Sequence, residues 1–315
     1  MVYRGCTADA TVRRSPTERS SAPRKLLKIM ELIEYLDIPY IPSEPQNPFH
    51  TFDIYVPKHL QNASHNHNVR LNLVCFVHGG AWRSEDKADY AGLARKLAIS
   101  TGYPVAAPNY RLTPGEPTTD NCPQHPEHAR DVLRFFEFVR SWYDGNSNTK
   151  GFLPCQPRKL FFVGHSCAAH ILCTIFLRMS GETLHPSDEL VQSTAAIMMS
   201  EGIYDIDLLL SSFPTYRAWF IESTFGAKDS YEDVSAIKAT MNPKGDHIRW
   251  LIIHSQGDTL VDERQSSAMY IYLRETSHPV TKTFDELGDE HNTILQGPRY
   301  VEIINNYIKG VVEGG

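Results

Sequence analysis

Gly164-His165-Ser166-Cys167-Ala168 lies between an apolar run, Leu160–Val163, and a helical segment, 167–179. A serine between small residues at a strand-to-helix junction can be thrust above a sheet as a nucleophile, with the first N–H groups of the helix aimed at the substrate. Ala168 stands where a final glycine is usual, the smallest departure from that pattern. A second group, His78-Gly79-Gly80-Ala81-Trp82, follows the β-rich run Leu71–Val77. Two glycines after a strand can be an ordinary turn, but they also let backbone amides face a developing negative charge. With the serine turn downstream, we assign that task to the N–H groups of Gly80, Ala81 and Cys167.

Such a serine needs a base, and the base needs an acid to orient it. Asp258 follows the apolar run Trp250–Ile253, with Gly257 to permit the turn, and His291 sits in Gly288-Asp289-Glu290-His291-Asn292 beyond the last strand. The order Ser166, Asp258, His291 is that of α/β-hydrolases. Asp262 is the rival acid, better placed to cap the helix that follows. The chain has fourteen histidines. His165 and His170 are too close in sequence to Ser166 to be its base, and His254 belongs to the acid loop. His65 and His67 fall in a polar loop. His125 and His128 open a helix without a third ligand, so no metal site is expected.

The elements that would position these groups alternate. Thr51–Val56 reads as part of a β pair and 61–68 as an exposed hairpin loop. Strands follow at 71–77, 103–107, 160–163, 195–200, 250–253 and 280–284, with helices at 86–100, 126–143, 167–179, 262–275 and 294–309. Val132, Phe135, Phe136, Val139 and Trp142 form one helical face. Strand–helix alternation predicts the α/β class: a mostly parallel sheet flanked by helices, the α/β-hydrolase fold. The segment 203–247, rich in aromatics, reads as a small cap-like insertion over the carboxyl ends of the strands.

At 315 residues and 41% hydrophobic, the chain can bury one large core, read here as one domain over 26–315. Residues 1–25, rich in Arg, Ser, Thr and Pro, read as a disordered tail; Asp9 and Glu18 weaken a mitochondrial presequence. A net charge of −6 gives no footprint for nucleic acid or anionic membrane. Without an apolar leader or a bilayer-length run, and with six cysteines in no disulfide spacing, a cytoplasmic protein is expected.

The chain resembles the kynurenine formamidases (arylformamidases), especially the fungal branch. The likeness rests on His78–Trp82, Tyr110-Arg111-Leu112-Thr113-Pro114, Val163–Ser166, Gly202-Ile203-Tyr204, His254-Ser255 with Asp258, and Leu287–Asn292. It covers most of the chain from about residue 70. It implies hydrolysis of N-formyl-L-kynurenine to L-kynurenine and formate, in tryptophan catabolism toward NAD, by the triad Ser166, Asp258 and His291. Gly80 and Ala81 would supply oxyanion donors, as the residues alone also indicate. No cofactor is implied. Trp82 and Tyr204 are read as substrate contacts; a homodimer stays open. A broad carboxylesterase for small acyl esters is the alternative, since the same machinery cleaves esters. A hydrolase fold kept only for binding is disfavoured by the intact set of groups.

Overall fold

Runs of apolar residues long enough for one strand and too short for a buried helix set the architecture. A computed structural model describes residues 31–60, 71–115, 122–143, 153–180, 184–276 and 278–314. The expected tail, the stretch 61–68, and His65 and His67 lie outside the described residues. The elements are β1 (Leu32–Pro39), β2 (Thr51–Pro57), β3 (Asn72–Val77), α1 (Ala91–Thr101), β4 (Val105–Pro108), α2 (Glu127–Ser141), β5 (Lys159–His165), α3 (Cys167–Phe176), β6 (Leu177–Arg178), α4 (Asp188–Ser193), β7 (Thr194–Ser200), α5 (Ile206–Ser212), α6 (Glu222–Phe225), β8 (Thr240–Met241), β9 (Arg249–Ile253), α7 (Glu263–Glu275), β10 (Val280–Thr283) and α8 (Pro298–Glu313).

Eight strands form one sheet in the order β1-β2-β4-β3-β5-β7-β9-β10. β2 pairs antiparallel with β1 and β4; every other pairing is parallel. Alternate residues of a strand point to opposite faces, so a strand covered on both sides must be apolar throughout. Leu73, Cys75 and Val77 of β3 and Phe162 of β5 join the core with α2 and α3. Their neighbours Val74, Phe76, Phe161 and Val163 join the opposite core with α1 and α8. β6 and β8 make a separate antiparallel pair.

Three expectations shift. The composition of 61–68 predicts a hairpin loop, yet β2 and β3 are not neighbours, because β4 lies between them. The helix expected over 86–100 starts as a 3-10 turn, Lys87–Tyr90, before α1. Asp86 causes this: its side chain accepts the Ala88 N–H at 2.8 Å while its own N–H donates to Asp89 at 3.0 Å, a reciprocal cap. The last helix starts at Pro298, after a 3-10 turn over Thr293–Gln296, since proline suits a first helical position and not an interior one.

The register brings the functional loops to one edge. Val77 pairs with Gly164, His165 with Ser200, and Ile253 with both Ser200 and Thr283. The loops carrying Gly80, Ser166, Asp258 and His291 therefore leave the sheet side by side at its carboxyl ends, where open α/β sheets hold ligands.

Phe162 tests the core beneath this edge. It is fully buried, stacked at 4.0 Å on Phe136 and 5.2 Å from Phe176 between ring centroids. Phe162→Ala is expected to lower unfolding free energy by about 3–5 kcal/mol in urea titrations. A loss below about 1 kcal/mol would contradict this packing.

Candidate active site

β5 enters α3 with a single residue between them, Ser166, held at φ 56° and ψ −125°. L-residues rarely adopt that conformation, and its neighbours impose it. The Ser166 N–H donates to the Ser200 carbonyl at 2.9 Å, and its carbonyl accepts from Ala169 at 3.0 Å. Glycines allow the approach. A Cβ on Gly164 would lie 2.7 Å from Leu172 Cδ1 and 3.0 Å from the Ala168 backbone, and one on Gly79 would lie 3.1 Å from Ser166 Cβ.

The loop after β3 curls through positive φ at Gly80 (90°), Ala81 (52°) and Trp82 (59°). Its shape is held from behind. The Tyr110 hydroxyl donates to the carbonyls of His78 and Gly79 at 3.0 and 2.9 Å, and its ring stacks on His78. With those carbonyls turned away, the N–H groups of Gly80, Ala81 and Cys167 donate to no carbonyl among the described residues. Two backbone N–H groups of this loop face Cys167 Sγ, that of Trp82 at 3.3 Å and that of Ala81. Burial pushes that thiol up to about 12, so Cys167 stays protonated and does not compete as a nucleophile.

Asp258 and His291 are brought together: Nδ1 of the imidazole lies 2.7 Å from Oδ2. The other carboxylate oxygen accepts N–H bonds from Leu260 and Val261 at 2.8 and 3.0 Å. Burial alone would raise the Asp258 pKa, but hydrogen bonds and the nearby imidazole outweigh it, and the group lies well below the usual carboxylate range. The two loops interlock by backbone. Gln256 N–H donates to the Leu287 carbonyl at 3.0 Å, and a Cβ on Gly257 would strike the Gly288 carbonyl oxygen at 2.3 Å. Asp262 sits at the N-cap position of α7, but the expected cap is not made; its carboxylate takes the Ser212 hydroxyl instead.

Behind His291 lies a chain that sequence reasoning did not find. The His165 ring packs 4.6 Å from His291, its Nδ1 is 3.1 Å from Ser200 Oγ and its Nε2 3.2 Å from Asn292 Oδ1. Ser200 Oγ in turn meets the Tyr300 hydroxyl at 2.9 Å. His170 packs edge-on against Trp82 and against His125, and His128 packs edge-on against Tyr110. His128 Nε2 is 2.9 Å from the Thr113 hydroxyl and His170 Nε2 is 2.7 Å from the Val234 carbonyl. Burial pushes these two histidines down to about 3 and 4, so they are neutral core residues.

A cavity of about 330 Å³ opens over these groups, lined by Gly80, Ala81, Ser166 and His291 and faced by Tyr216, Trp219 and Phe220. Arg83 and Glu85 also line it. The two residues read as substrate contacts are placed elsewhere. Trp82 and Tyr204 are fully buried and do not line the cavity. Trp82 packs edge-on against Phe225 and His170, and Tyr204 covers Gly202, where a Cβ would lie 2.3 Å from its ring. Aromatic richness of 203–231 pointed at the right segment, but only exposure to the cavity separates Tyr216 and Trp219 from Tyr204.

A mostly parallel eight-stranded sheet with a serine at the turn after β5 defines an α/β-hydrolase. The chain belongs to the BD-FAE family, whose profile matches residues 52–273. Its curated relatives include the kynurenine formamidase avaC of Aspergillus versicolor, 27% identical over 83% of this chain and 95% of that one. The kynurenine formamidase of Meyerozyma guilliermondii is 25% identical over 79% of this chain and 89% of its own. The resemblance to fungal kynurenine formamidases is thus borne out, and these relatives support hydrolase activity. Among solved structures, esterase B from Lactobacillus rhamnosis superposes with a TM-score of 0.65 at 15% identity, covering 90% of this chain and 87% of that one. A truncated carbohydrate esterase from gut microbiota gives 0.65 at 18% identity, covering 89% and 96%. Both show the fold alone.

The two acids separate by mutation. Asp258→Asn is expected to lower kcat by about 10³–10⁴, because His291 loses the partner that fixes its tautomer. Asp262→Asn is expected to keep kcat within about threefold and lose about 1 kcal/mol of stability through the Ser212 contact. Steady-state kinetics and urea titration on both variants check this; exchanged phenotypes would reverse the assignment.

Proposed function

We propose that this chain hydrolyses N-formyl-L-kynurenine to L-kynurenine and formate, with Ser166 as nucleophile, His291 as general base and Asp258 as its orienting acid. The observation that carries the reading is the His291–Asp258 bond at 2.7 Å, with His291 and Ser166 lining one cavity beside the Gly80–Ala81 turn. In this reading Ser166 Oγ attacks the formyl carbon as His291 takes its proton. The N–H groups of Gly80, Ala81 and Cys167 stabilise the oxyanion. His291 then protonates the departing aryl amine, leaving a formyl ester on Ser166. Water, deprotonated by His291, attacks that ester and releases formate, returning the proton to Ser166. The names of the fungal relatives support this substrate, and with it a place in tryptophan breakdown.

The shape and charge of the cavity fit such a substrate. The segment 203–247 acts as a cap, and its Tyr216 and Trp219 offer flat surfaces for an aryl ring. Arg83, whose guanidinium reaches the Trp219 carbonyl, can take the α-carboxylate of the amino-acid tail. Gly115 leaves room for it: a Cβ there would lie 2.3 Å from Arg83 Nη2. The formyl group needs no acyl pocket, so each added methylene on the acyl side should be disfavoured by crowding.

Ser166→Ala is expected to lower kcat by about 10⁴ or more with folding preserved. Retention of a tenth of the activity in a folded variant would refute the nucleophile. Across formyl, acetyl, butyryl and octanoyl aryl substrates, kcat/KM should fall with acyl length, and N-formyl-L-kynurenine should be turned over well. A maximum at butyryl without turnover of N-formyl-L-kynurenine would leave a carboxylesterase. Arg83→Gln should raise KM for N-formyl-L-kynurenine about tenfold while leaving a neutral aryl formate unaffected; equal effects on both would remove Arg83 from carboxylate recognition.

A further inference from the structure

Glu201 is the next residue after β7, one position beyond Ser200, and it is wholly buried at a positive φ of 51°. Its Oε1 accepts the Ser255 N–H at 2.8 Å. Its Oε2 is buried and, were the group a carboxylate, would meet no hydrogen-bond donor among the described residues other than His254 Nδ1. One side-chain nitrogen or oxygen from each of Glu201, His254 and Asp258 lies within 4.8 Å of the other two. His254 Nδ1 comes within 3.2 Å of Oε2 but is engaged by the Ser266 hydroxyl at 3.0 Å.

We propose that Glu201 is a positioning residue carried as a neutral carboxylic acid, its proton donated from Oε2 to the Asp258 carboxylate, so that His291 is oriented by a hydrogen-bonded carboxyl–carboxylate pair. The proposal rests on the roles given above to Ser166, His291 and Asp258. Two buried carboxyl groups this close do not both ionise. The charge settles where it is better solvated. Asp258 has His291 and two backbone N–H groups, whereas Glu201 has one. The other titratable groups facing Glu201 are His254 at the end of β9, Tyr204 after β7 and Tyr300 of α8. None of these is a lysine or arginine, and burial lowers the His254 pKa, which removes it as a counter-charge. Burial, followed by Asp258, pushes Glu201 up to about 10. A proton on Oε2 also resolves the orphaned atom, because two acceptors cannot pair but a hydroxyl and a carboxylate can. Through Ser255 on one oxygen and Asp258 on the other, Glu201 holds both ends of the acid loop.

Thermal unfolding against pH and labelling of Ser166 by a fluorophosphonate test this on the full chain. Between the ordinary carboxyl range and about pH 10 the folded wild type binds one proton more than the unfolded chain, so its stability falls as pH rises. Glu201→Gln lacks that dependence. Its Tm relative to wild type should therefore rise by about 5 °C or more between pH 5 and pH 8. A constant or shrinking difference would mean Glu201 is ionised and would overturn the proposal. In labelling, Glu201→Gln, which can still donate to Asp258 and accept from Ser255, should keep about a third or more of the wild-type rate. Glu201→Leu should lose about tenfold or more, with the acid limb of its pH–rate profile moved to higher pH, since an undonated Asp258 is the stronger base beside His291. Equal losses in the two variants, or an acid limb moved to lower pH, would show that a negative charge is what the site needs. If Ser166 takes no label in any variant the nucleophile assignment fails, while the Tm comparison still decides where the proton lies.

Discussion

β5 passes into α3 through one residue, and that residue must hold a backbone conformation costing about 1–3 kcal/mol when nothing compensates. The rest of the site is arranged around this constraint. β3 and β7 flank β5, so the loops leaving them press on the turn from both sides. Ser200 supplies the carbonyl that fixes the Ser166 N–H, and a Cβ on Gly79 would lie 3.1 Å from Ser166 Cβ. A side chain at 164 would force Leu172 or the start of α3 to shift, and one at 79 would press Ser166 aside by a few tenths of an ångström. The same closeness sets Cys167 against the loop after β3, with its sulfur held by Trp82 N–H.

Burial then governs the polar groups around the turn. An unmet donor or acceptor away from water is expensive, so the loops are tied by bonds that leave few choices. Tyr110 takes two carbonyls of the loop after β3, Asp258 takes two amides of its own loop, and Ser255 bonds both Glu201 and Asp289. Each bond fixes a loop at one point; together they determine which N–H groups stay free to face the cavity. The strand register makes this economical, because loops leaving adjacent strands at one edge are already within reach of one another.

The aromatic residues show where sequence pattern stops being informative. Trp82 follows the glycines after Ala81, and Tyr204 follows Gly202 after Ile203, so both stand near candidate site residues in the chain. Both rings turn into the core, where they fill space that Gly202 and the helix side of the sheet leave open. The cavity is faced instead by Tyr216, Trp219 and Phe220, at and within a π-helical turn over Arg217–Ile221, whose period differs from the 3.6 residues that a helical stripe follows. Asp262 is a similar case: its place at the start of a helix predicted a cap, and a hydroxyl from α5 claimed the carboxylate.

Most strands and most helices were legible in the sequence because they are local: apolar runs of strand length, a helical stripe, and small residues where a turn is tight; β1, β6 and β8 carried no such signal. The α/β class followed from their alternation. Tertiary structure alone decided which strands pair, and hence that β4 separates β2 from β3. It decided that Tyr110, Asn292, Tyr300 and Glu201 stand behind the groups named from sequence, since their roles arise only when loops far apart in the chain meet. A glutamate at the end of an apolar strand was visible as a letter. That it is enclosed within 4.8 Å of a second carboxyl group is a property of the fold, because burial and proximity, not residue type, determine how a carboxyl group holds its proton.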